Sequence, residues 1–248
     1  MPRREGESAL TIEVRDRAGH SARGEVNILI SPPPLPALQM TPLSALTPAQ
    51  QTKLDFRLDR AHPADLDLIV QLGFDGPADP AILFWTGGRL ASLPIPAGQL
   101  APSSPLLLQT GTTAGTIQIK AHLESPGRAA LTPPAMVQQS VMVGPTPPQI
   151  RSIRLQKTSD RFEVQVSAYS PTREFATAKF VFDDSIQISL PMDELAGRWY
   201  AGELSTPFGT SLTYRQAFIV RGDSSRLRGV SVSLSNRIGV SVPASAVF

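Results

Sequence analysis

The stretch LDLIVQLGF, residues 66–74, places an apolar side chain at every second position: Leu66, Leu68, Val70, Leu72 and Phe74. A period of two puts these side chains on one face of an extended chain. Three of the four intervening residues are polar or glycine, so the opposite face suits solvent. The stretch therefore predicts a half-buried β-strand.

The same period recurs along most of the chain. Before residue 145 it appears at 54–58, 82–85, 90–95, 106–109, 117–123 and 136–143. After residue 150 it appears at 153–155, 162–166, 180–182, 186–190, 214–220, 230–234 and 240–242. Helical candidates reduce to one turn at 191–196. About seven short strands per roughly 100 residues, separated by turn residues, are typical of a β-sandwich.

Two proline clusters divide the chain, SPPPLP at 31–36 and GPTPP at 144–148. Such runs favour extended polyproline conformation and act as semi-rigid spacers. A chain of 248 residues has room for about two domains of 100–150 residues each. We therefore predict a partial unit at 1–30 and two complete sandwiches at 34–145 and 146–248, joined by Pro-rich linkers into a semi-rigid rod.

A weak internal repeat links the two ends of the chain. Strand-like residues 10–14 and 26–30 flank a turn with Asp16 and Gly19, and 230–234 and 240–242 flank a turn with Asn236 and Gly239. An Asx oxygen can cap such a turn, and Gly can adopt a positive φ. Because two strands cannot bury a core alone, we expect residues 1–30 to close a domain whose earlier strands precede this sequence.

Composition excludes several functional classes. The chain has 23 Lys and Arg against 21 Asp and Glu, a net charge of +2, and no Cys. So small a charge predicts no nucleic-acid binding, and the lack of Cys excludes disulfides, zinc thiolates and thiol catalysis.

The charged N-terminus has no apolar run after it, so no signal peptide is predicted. No stretch approaches the ~20 apolar residues that cross a membrane, so no direct membrane insertion is expected.

The ionisable residues that could bind a metal also have ordinary structural roles. The three histidines, His20, His62 and His122, lie in separate contexts without a second ligand at helical spacing, so we expect ordinary surface side chains. Four carboxylates cluster in sequence and could form a calcium site between strand ends; they are Asp65, Asp67, Asp75 and Asp79. A solvated face with Asx-supported turns is the interpretation we favour for them and for Asp183-Asp184. We expect neither a cofactor nor a metal.

Three aromatic residues are the candidate ligand-binding side chains, namely Trp85, Trp199 and Tyr200. Aromatic faces can stack on pyranose rings, although such residues serve equally well in cores. Because Trp199 and Tyr200 are adjacent, a strand would point them to opposite sides. Arg221-Gly222-Asp223 is an integrin-type tripeptide that a turn could display, but a turn that needs one Gly produces such triplets by chance, which is the interpretation we favour. Gly87-Gly88 suits a tight turn better than a nucleotide loop.

Several longer motifs carry a family resemblance: FWTGGR at 84–89, IPAG at 95–98, LQTGTTAGTI at 108–117, YSPTRE at 169–174, FVF at 180–182 and LSNRIGVS at 234–241. Together they resemble the immunoglobulin-like repeats of large acidobacterial and related bacterial surface proteins. The resemblance covers most of residues 34–248 and implies tandem immunoglobulin-like sandwiches. It also implies an extracellular or cell-surface location within a longer exported chain, and it brings no catalytic residues.

These observations favour a non-catalytic structural or adhesive module that acts as a spacer and display scaffold. No Gly-x-Ser-x-Gly elbow or comparable catalytic motif is present, so an enzyme is not expected. A cell-surface protein or a polysaccharide is the expected partner. The alternative from another class is a carbohydrate-binding accessory module of a secreted hydrolase, which would use exposed aromatic residues.

Overall fold

The computed structural model describes residues 6–30, 33–125, 136–157, 161–183, 186–221 and 227–247. About 55% of the chain is strand and 7% helix, and every strand pair within the sheets is antiparallel. The prediction of an all-β fold is confirmed. Within these residues, no helix has the length and apolar character needed to span a bilayer.

The N-terminal part is a long hairpin of β1 (Gly6–Arg15) and β2 (Ser21–Ile30). At its turn, the backbone N–H of His20 donates to Oδ1 of Asp16 at 2.9 Å, and Gly19 has a φ of +91°. The predicted Asx turn is thus confirmed here. Leu10 and Val26 oppose each other on one face, and both are about half exposed.

The first sandwich has one four-stranded sheet in the order β11-β10-β6-β8, facing a three-stranded sheet β4-β9-β7 and a short pair β3-β5. Its strands are β3 (Leu38–Met40), β4 (Gln51–Leu54), β5 (Phe56–Leu58), β6 (Leu66–Asp75), β7 (Ile82–Phe84), β8 (Leu90–Ile95), β9 (Leu106–Thr110), β10 (Gly115–Glu124) and β11 (Val137–Val143). The alternation read in 66–74 is present: Leu66, Leu68, Val70 and Leu72 are buried in β6.

One predicted strand, 54–58, is divided. Leu54 ends β4 in one sheet and Phe56 begins β5 in another, while Asp55 between them accepts a backbone hydrogen bond from Thr41 at 2.9 Å. The buried alternation of Leu54, Phe56 and Leu58 continues through the switch. Periodicity detects the inward face but cannot detect a change of hydrogen-bonding partner.

The second sandwich pairs a three-stranded sheet β12-β13-β16 with a four-stranded sheet β15-β14-β17-β18. Its strands are β12 (Gln149–Lys157), β13 (Arg161–Tyr169), β14 (Thr177–Phe182), β15 (Ile186–Pro191), β16 (Ser211–Ile219), β17 (Gly229–Ser235) and β18 (Ala244–Val247). Between β15 and β16 the chain forms helix α1 (Asp193–Ala201) and a 3₁₀ helix (Glu203–Phe208).

Two sequence predictions in this sandwich need correction. The helix runs to Ala201 instead of ending at 196, so Trp199 and Tyr200 lie on a helix and not in a strand. Acidic Asp193 and Glu194 in its first turn favour this start through the helix dipole. The last strand is β18, and residues 240–242 contribute only an isolated bridge between Ser235 and Val240.

The buried apolar side chains form two clusters, one drawn from residues 38–143 and the other from 164–234. Tyr169, Phe84, Phe162, Phe175 and Phe180 are the largest side chains that are fully buried. The boundaries at 30, 34, 145 and 146 stay predictions. Polar residues around Asp79 and Thr112 join the two sandwiches.

Candidate functional site

The carboxylate of Asp79 is the most enclosed charged group among the described residues, with 2% of its surface exposed. Its Oδ2 accepts backbone N–H bonds from Thr112 at 2.6 Å and Thr113 at 2.9 Å. The hydroxyls of the same two threonines also donate to Oδ2, at 3.0 and 2.9 Å. Its Oδ1 accepts from the N–H of Ala81 at 2.9 Å. Five donors thus compensate for the burial of one negative charge.

Local sequence brings these groups together. Asp79 lies between Gly76-Pro77 and Pro80 in the loop that connects β6 to β7, and its bond to Ala81 is an Asx turn. Gly111 directly follows β9 and precedes the threonines, and it has a φ of +68°. A Cβ on Gly111 would lie 2.7 Å from Oδ2 of Asp79, so only glycine allows this approach.

The second sandwich is bonded to the same loop. The hydroxyl of Thr210 donates to the carbonyl of Thr112 at 3.0 Å, and the N–H of Thr210 donates to the Thr112 hydroxyl at 3.3 Å. A further backbone bond joins Ala114 N–H to the carbonyl of Pro171 at 3.0 Å. We call the set Asp79, Thr112, Thr113, Gly209 and Thr210 the Asp79 junction.

Gly209 completes the contact from the second sandwich. Its φ of +60° follows the end of the 3₁₀ helix, and a Cβ there would lie 2.8 Å from Oδ1 of Asp79. The two sandwiches therefore approach closely enough that a methyl group would force them to shift. Most of the junction is buried, since Thr113 and Thr210 have no exposed surface, while Thr112 is partly exposed.

The proline linker is held by Asn236. Its side-chain amide donates to the carbonyl of Thr146 at 3.0 Å and lies within bonding distance of the Ser170 and Thr172 hydroxyls. Its Oδ1 accepts the N–H groups of Ile238 and Gly239 at 2.9 and 3.1 Å, which confirms the predicted Asx turn. Gly239 does not have the positive φ expected of it.

The structure separates the three aromatic candidates. Trp85 lies in the turn after β7 of the first sandwich and is 54% exposed. Trp199 and Tyr200 lie on α1 in the second sandwich, both half-buried. Among the described residues, no ring contact joins Trp85 to either of them. Their role in ligand binding stays a prediction.

Trp199 and Tyr200 both donate hydrogen bonds to the backbone where β16 begins, at residues 210 and 211. The indole N–H of Trp199 donates to the carbonyl of Ser211 at 2.9 Å, and the Tyr200 hydroxyl donates to the carbonyl of Thr210 at 2.6 Å. The Tyr200 ring stacks on Phe175. Burial raises the pKa of Tyr200, and nearby Arg173 opposes that rise. Through its hydrogen bond to the Thr210 carbonyl, Tyr200 stabilises the position of Thr210 in the Asp79 junction.

The predicted surface position of His62 is wrong, because only 5% of the residue is exposed. Its Nδ1 donates to the carbonyl of Ala64 at 2.9 Å, while Nε2 is buried without a hydrogen-bond partner. Two bonds tie the segment at 96–98 to this part of the chain, from Gly98 N–H to the His62 carbonyl and from Ala97 N–H to Asp65. His122, by contrast, forms a 3.0 Å pair with Glu124 beside the buried row of β10.

The carboxylates considered for calcium have different surroundings. Asp79 is enclosed, which corrects the expectation of a solvated turn, while Asp75 is exposed. Within the described residues, no group of three or more acidic or histidine side chains is suited to hold a metal. Asp183 accepts the N–H of Arg228 at 3.2 Å. Asp184, Gly222 and Asp223 lie outside the described residues, and with them the tripeptide prediction.

No protein-family model and no curated protein matches the chain. Red sea bream transglutaminase matches 86% of this chain at 10% identity with a TM-score of 0.30, and the chain spans 31% of that protein. The class 5 fimbriae chaperone CfaA matches 86% of this chain and 100% of its own at 9% identity, TM-score 0.30. The FN1–FN3 domains of chicken CNTN1 match 96% of this chain, which covers 73% of that protein, at 8% identity with a TM-score of 0.27.

These structures contain immunoglobulin- and fibronectin-like β-sandwich domains. At such low similarity they carry no argument about function, and the all-β assignment rests on the strand pairing itself. The specific resemblance to acidobacterial repeats has no support from sequence families and stays a prediction.

Proposed function

We propose that this chain is a non-catalytic structural module of a bacterial surface or secreted protein, in which two sandwiches at a fixed mutual angle act as spacer and display scaffold. The observation that carries the proposal is the Asp79 junction. Groups from both sandwiches meet there in a buried, hydrogen-bonded network instead of being separated by a free linker.

The strength of the junction can be estimated from its bonds. Among the described residues, two hydrogen bonds between Thr210 and Thr112 join the sandwiches at the junction, and a third joins them beside it, between Ala114 and Pro171. At about 0.5–1.5 kcal/mol each, they contribute roughly 2–4 kcal/mol. The short linker already keeps the two surfaces near each other, so little further entropy is lost when they bond. A single arrangement should therefore dominate in solution.

The chemistry of the junction supports a structural role. The carboxylate of Asp79 and the hydroxyls of Thr112 and Thr113 are bonded to one another and to backbone. A polar cluster committed in this way holds loops in place and offers no group to a substrate. An adhesive role, an extracellular location and a cell-surface protein or polysaccharide partner remain parts of the proposal. The carbohydrate-binding alternative has one structural support, a groove beside Trp199.

The absence of Cys makes a distance measurement straightforward. Ser92→Cys on β8 and Ser189→Cys on β15 are exposed positions, one on each sandwich, for a pair of spin labels. Pulsed electron paramagnetic resonance should give one narrow distance peak. Asp79→Asn and Thr210→Val should broaden that peak, whereas the matched control Asp75→Asn at an exposed carboxylate should leave it unchanged.

Two results would count against the proposal. A broad distribution in the parent double-cysteine protein would mean that the sandwiches move freely. Peaks of equal width in Asp79→Asn, Thr210→Val and the control would mean that the junction does not hold the angle. Circular dichroism of each variant establishes that the sheets are intact.

A further inference from the structure

A groove of about 440 Å³ lies between α1 and β16 in the second sandwich. Helix α1 contributes Leu195, Arg198 and Trp199 to its wall, and the strand contributes residues 212–215. The volume falls within the range of about 300–1,000 Å³ that is usual for small-molecule sites. Its lining is part apolar, from Leu195, Trp199 and Leu212, and part polar, and Trp199 is half-buried there.

One side of the groove is an open sheet edge. β16 is the last strand in the order β12-β13-β16. The Trp199 indole donates to the carbonyl of Ser211, so the backbone groups of Ser211 point away from β13. In an antiparallel strand, alternate residues point their N–H and C=O groups to the same side. Thr213 and Arg215 therefore direct backbone donors and acceptors toward the groove.

Two cationic side chains stand at the groove. Arg198 and Arg215 line it, and no carboxylate is among its lining residues. Each arginine has an acidic neighbour at the limit of ion pairing: Glu194 at 4.0 Å from Arg198 and Glu163 at 3.9 Å from Arg215. Exposed pairs of this kind contribute little, about 0–1 kcal/mol, so both guanidinium groups can turn to another anion at small cost.

We propose that this groove binds an acidic saccharide, a pyranose ring that carries a carboxylate. The face of Trp199 would pack against the apolar face of the ring, as aromatic faces do with C–H surfaces. Arg198 or Arg215 would bind the carboxylate through paired N–H donors, a geometry that the planar guanidinium suits better than a lysine. Backbone groups of Thr213 would bond ring hydroxyls.

A saccharide fits better than a peptide strand. The groove follows four residues of β16, and α1 closes its other side. An added strand would find only these four residues of β16 inside the groove for its ladder. The bond between Trp199 and Ser211 also fixes the plane of the indole in advance, which lowers the entropic cost of stacking a rigid ring. The inference is independent of the spacer proposal, since the groove lies within one sandwich.

The test uses the full chain and an α-1,4-linked galacturonic acid trimer, with its methyl ester as the neutral probe, in isothermal titration calorimetry. The acid should bind at least tenfold more tightly than the ester. The double variant Arg198→Gln, Arg215→Gln should lose at least tenfold in affinity, and Trp199→Phe several-fold. Arg57→Gln and Trp85→Phe on the first sandwich are the matched controls and should bind like the parent.

Nuclear magnetic resonance gives a second readout, because the indole N–H signal of Trp199 should shift on titration while that of Trp85 stays in place. Equal binding of acid and ester, no binding of the trimer at millimolar concentration, or tighter binding of a glutamate trimer peptide would each overturn the proposal. The paired glutamine substitutions are at exposed positions, so a folding defect does not confuse their result.

Discussion

Replacing Asp79 with alanine should destabilise the first sandwich more than any surface substitution. The change removes the acceptor for five donors: the N–H groups of Ala81, Thr112 and Thr113 and the hydroxyls of both threonines. The two hydroxyls can rotate to other acceptors. The three N–H groups are fixed by the backbone and would be left without their partner.

The magnitude follows from the cost of an unsatisfied buried donor, about 1–3 kcal/mol each. Three such donors, partly solvated by water that enters the space left by the carboxylate, give about 3–6 kcal/mol for Asp79→Ala. In Asp79→Asn the amide oxygen can replace Oδ2 toward Thr112 and Thr113. The amide nitrogen then faces the N–H of Ala81, so one bond is lost, at about 1–3 kcal/mol. The exposed control Asp75→Ala should change stability by less than about 0.5 kcal/mol.

Urea unfolding followed by fluorescence measures these values. In a Trp199→Phe background the remaining Trp85 reports on the first sandwich alone, since the chain has two tryptophans. The expected order of the free energy of unfolding is parent and Asp75→Ala highest, then Asp79→Asn, then Asp79→Ala. If Asp79→Ala lowered that free energy by less than 1 kcal/mol at an unchanged denaturant slope, the network would not stabilise the sandwich as described.

Three further predictions concern the second sandwich and its contacts. Gly209→Ala should destabilise the protein by at least about 1 kcal/mol more than Gly98→Ala in thermal unfolding, because both have a positive φ but only Gly209 lies against Asp79. Equal losses would mean that backbone strain alone matters. Asn236→Ala should lower the free energy of unfolding in urea by about 2–3 kcal/mol, because the turn cap and the bond to the linker are lost. A decrease of less than about 0.5 kcal/mol would contradict that role. Burial raises the pKa of all three tyrosines, Tyr169, Tyr200 and Tyr214, so folding favours their neutral form. Their contribution to the free energy of unfolding should be fully present below about pH 10 and be lost as the pH rises above it, because the unfolded chain ionises first. Phenolate absorbance should rise together with loss of the circular dichroism signal. Ionisation of these tyrosines near pH 10 in a protein that stays folded would contradict this.

Local patterns in the sequence predicted the parts of the fold that depend on neighbours along the chain. The two-residue period of β6 and β10 identifies the buried faces, with Ile117, Ile119 and Ala121 inward and His122 between them. The turn at Asn236 follows from its side-chain chemistry, and its Oδ1 bonds are local. Such features need no knowledge of the distant chain.

Features that depend on distant partners escaped prediction. Asp79 bonds to residues 33 and 34 positions away, and Thr112 to one 98 positions away, so nothing near Asp79 in sequence shows that it is enclosed. His62 is likewise buried, and its carbonyl bonds to the distant Gly98. The helix α1 was underestimated because the flanking strands have a two-residue period. Its helical spacing, which places Ala196 and Trp199 against the core, is therefore harder to recognise. The glycines at 111 and 209 were the sequence signal available, and glycine alone reveals neither the positive φ nor the neighbour that requires it.

The hydrophilic character of the Asp79 junction has a mechanical consequence. The surfaces that meet there are a carboxylate, threonine hydroxyls and backbone groups, all of which water solvates readily once they are parted. Under tension along the chain, the seam should yield before any sheet unravels, and it should re-form when the load is released. A molecule built in this way would behave as a short spring with a defined rest length, whose recoil needs no refolding.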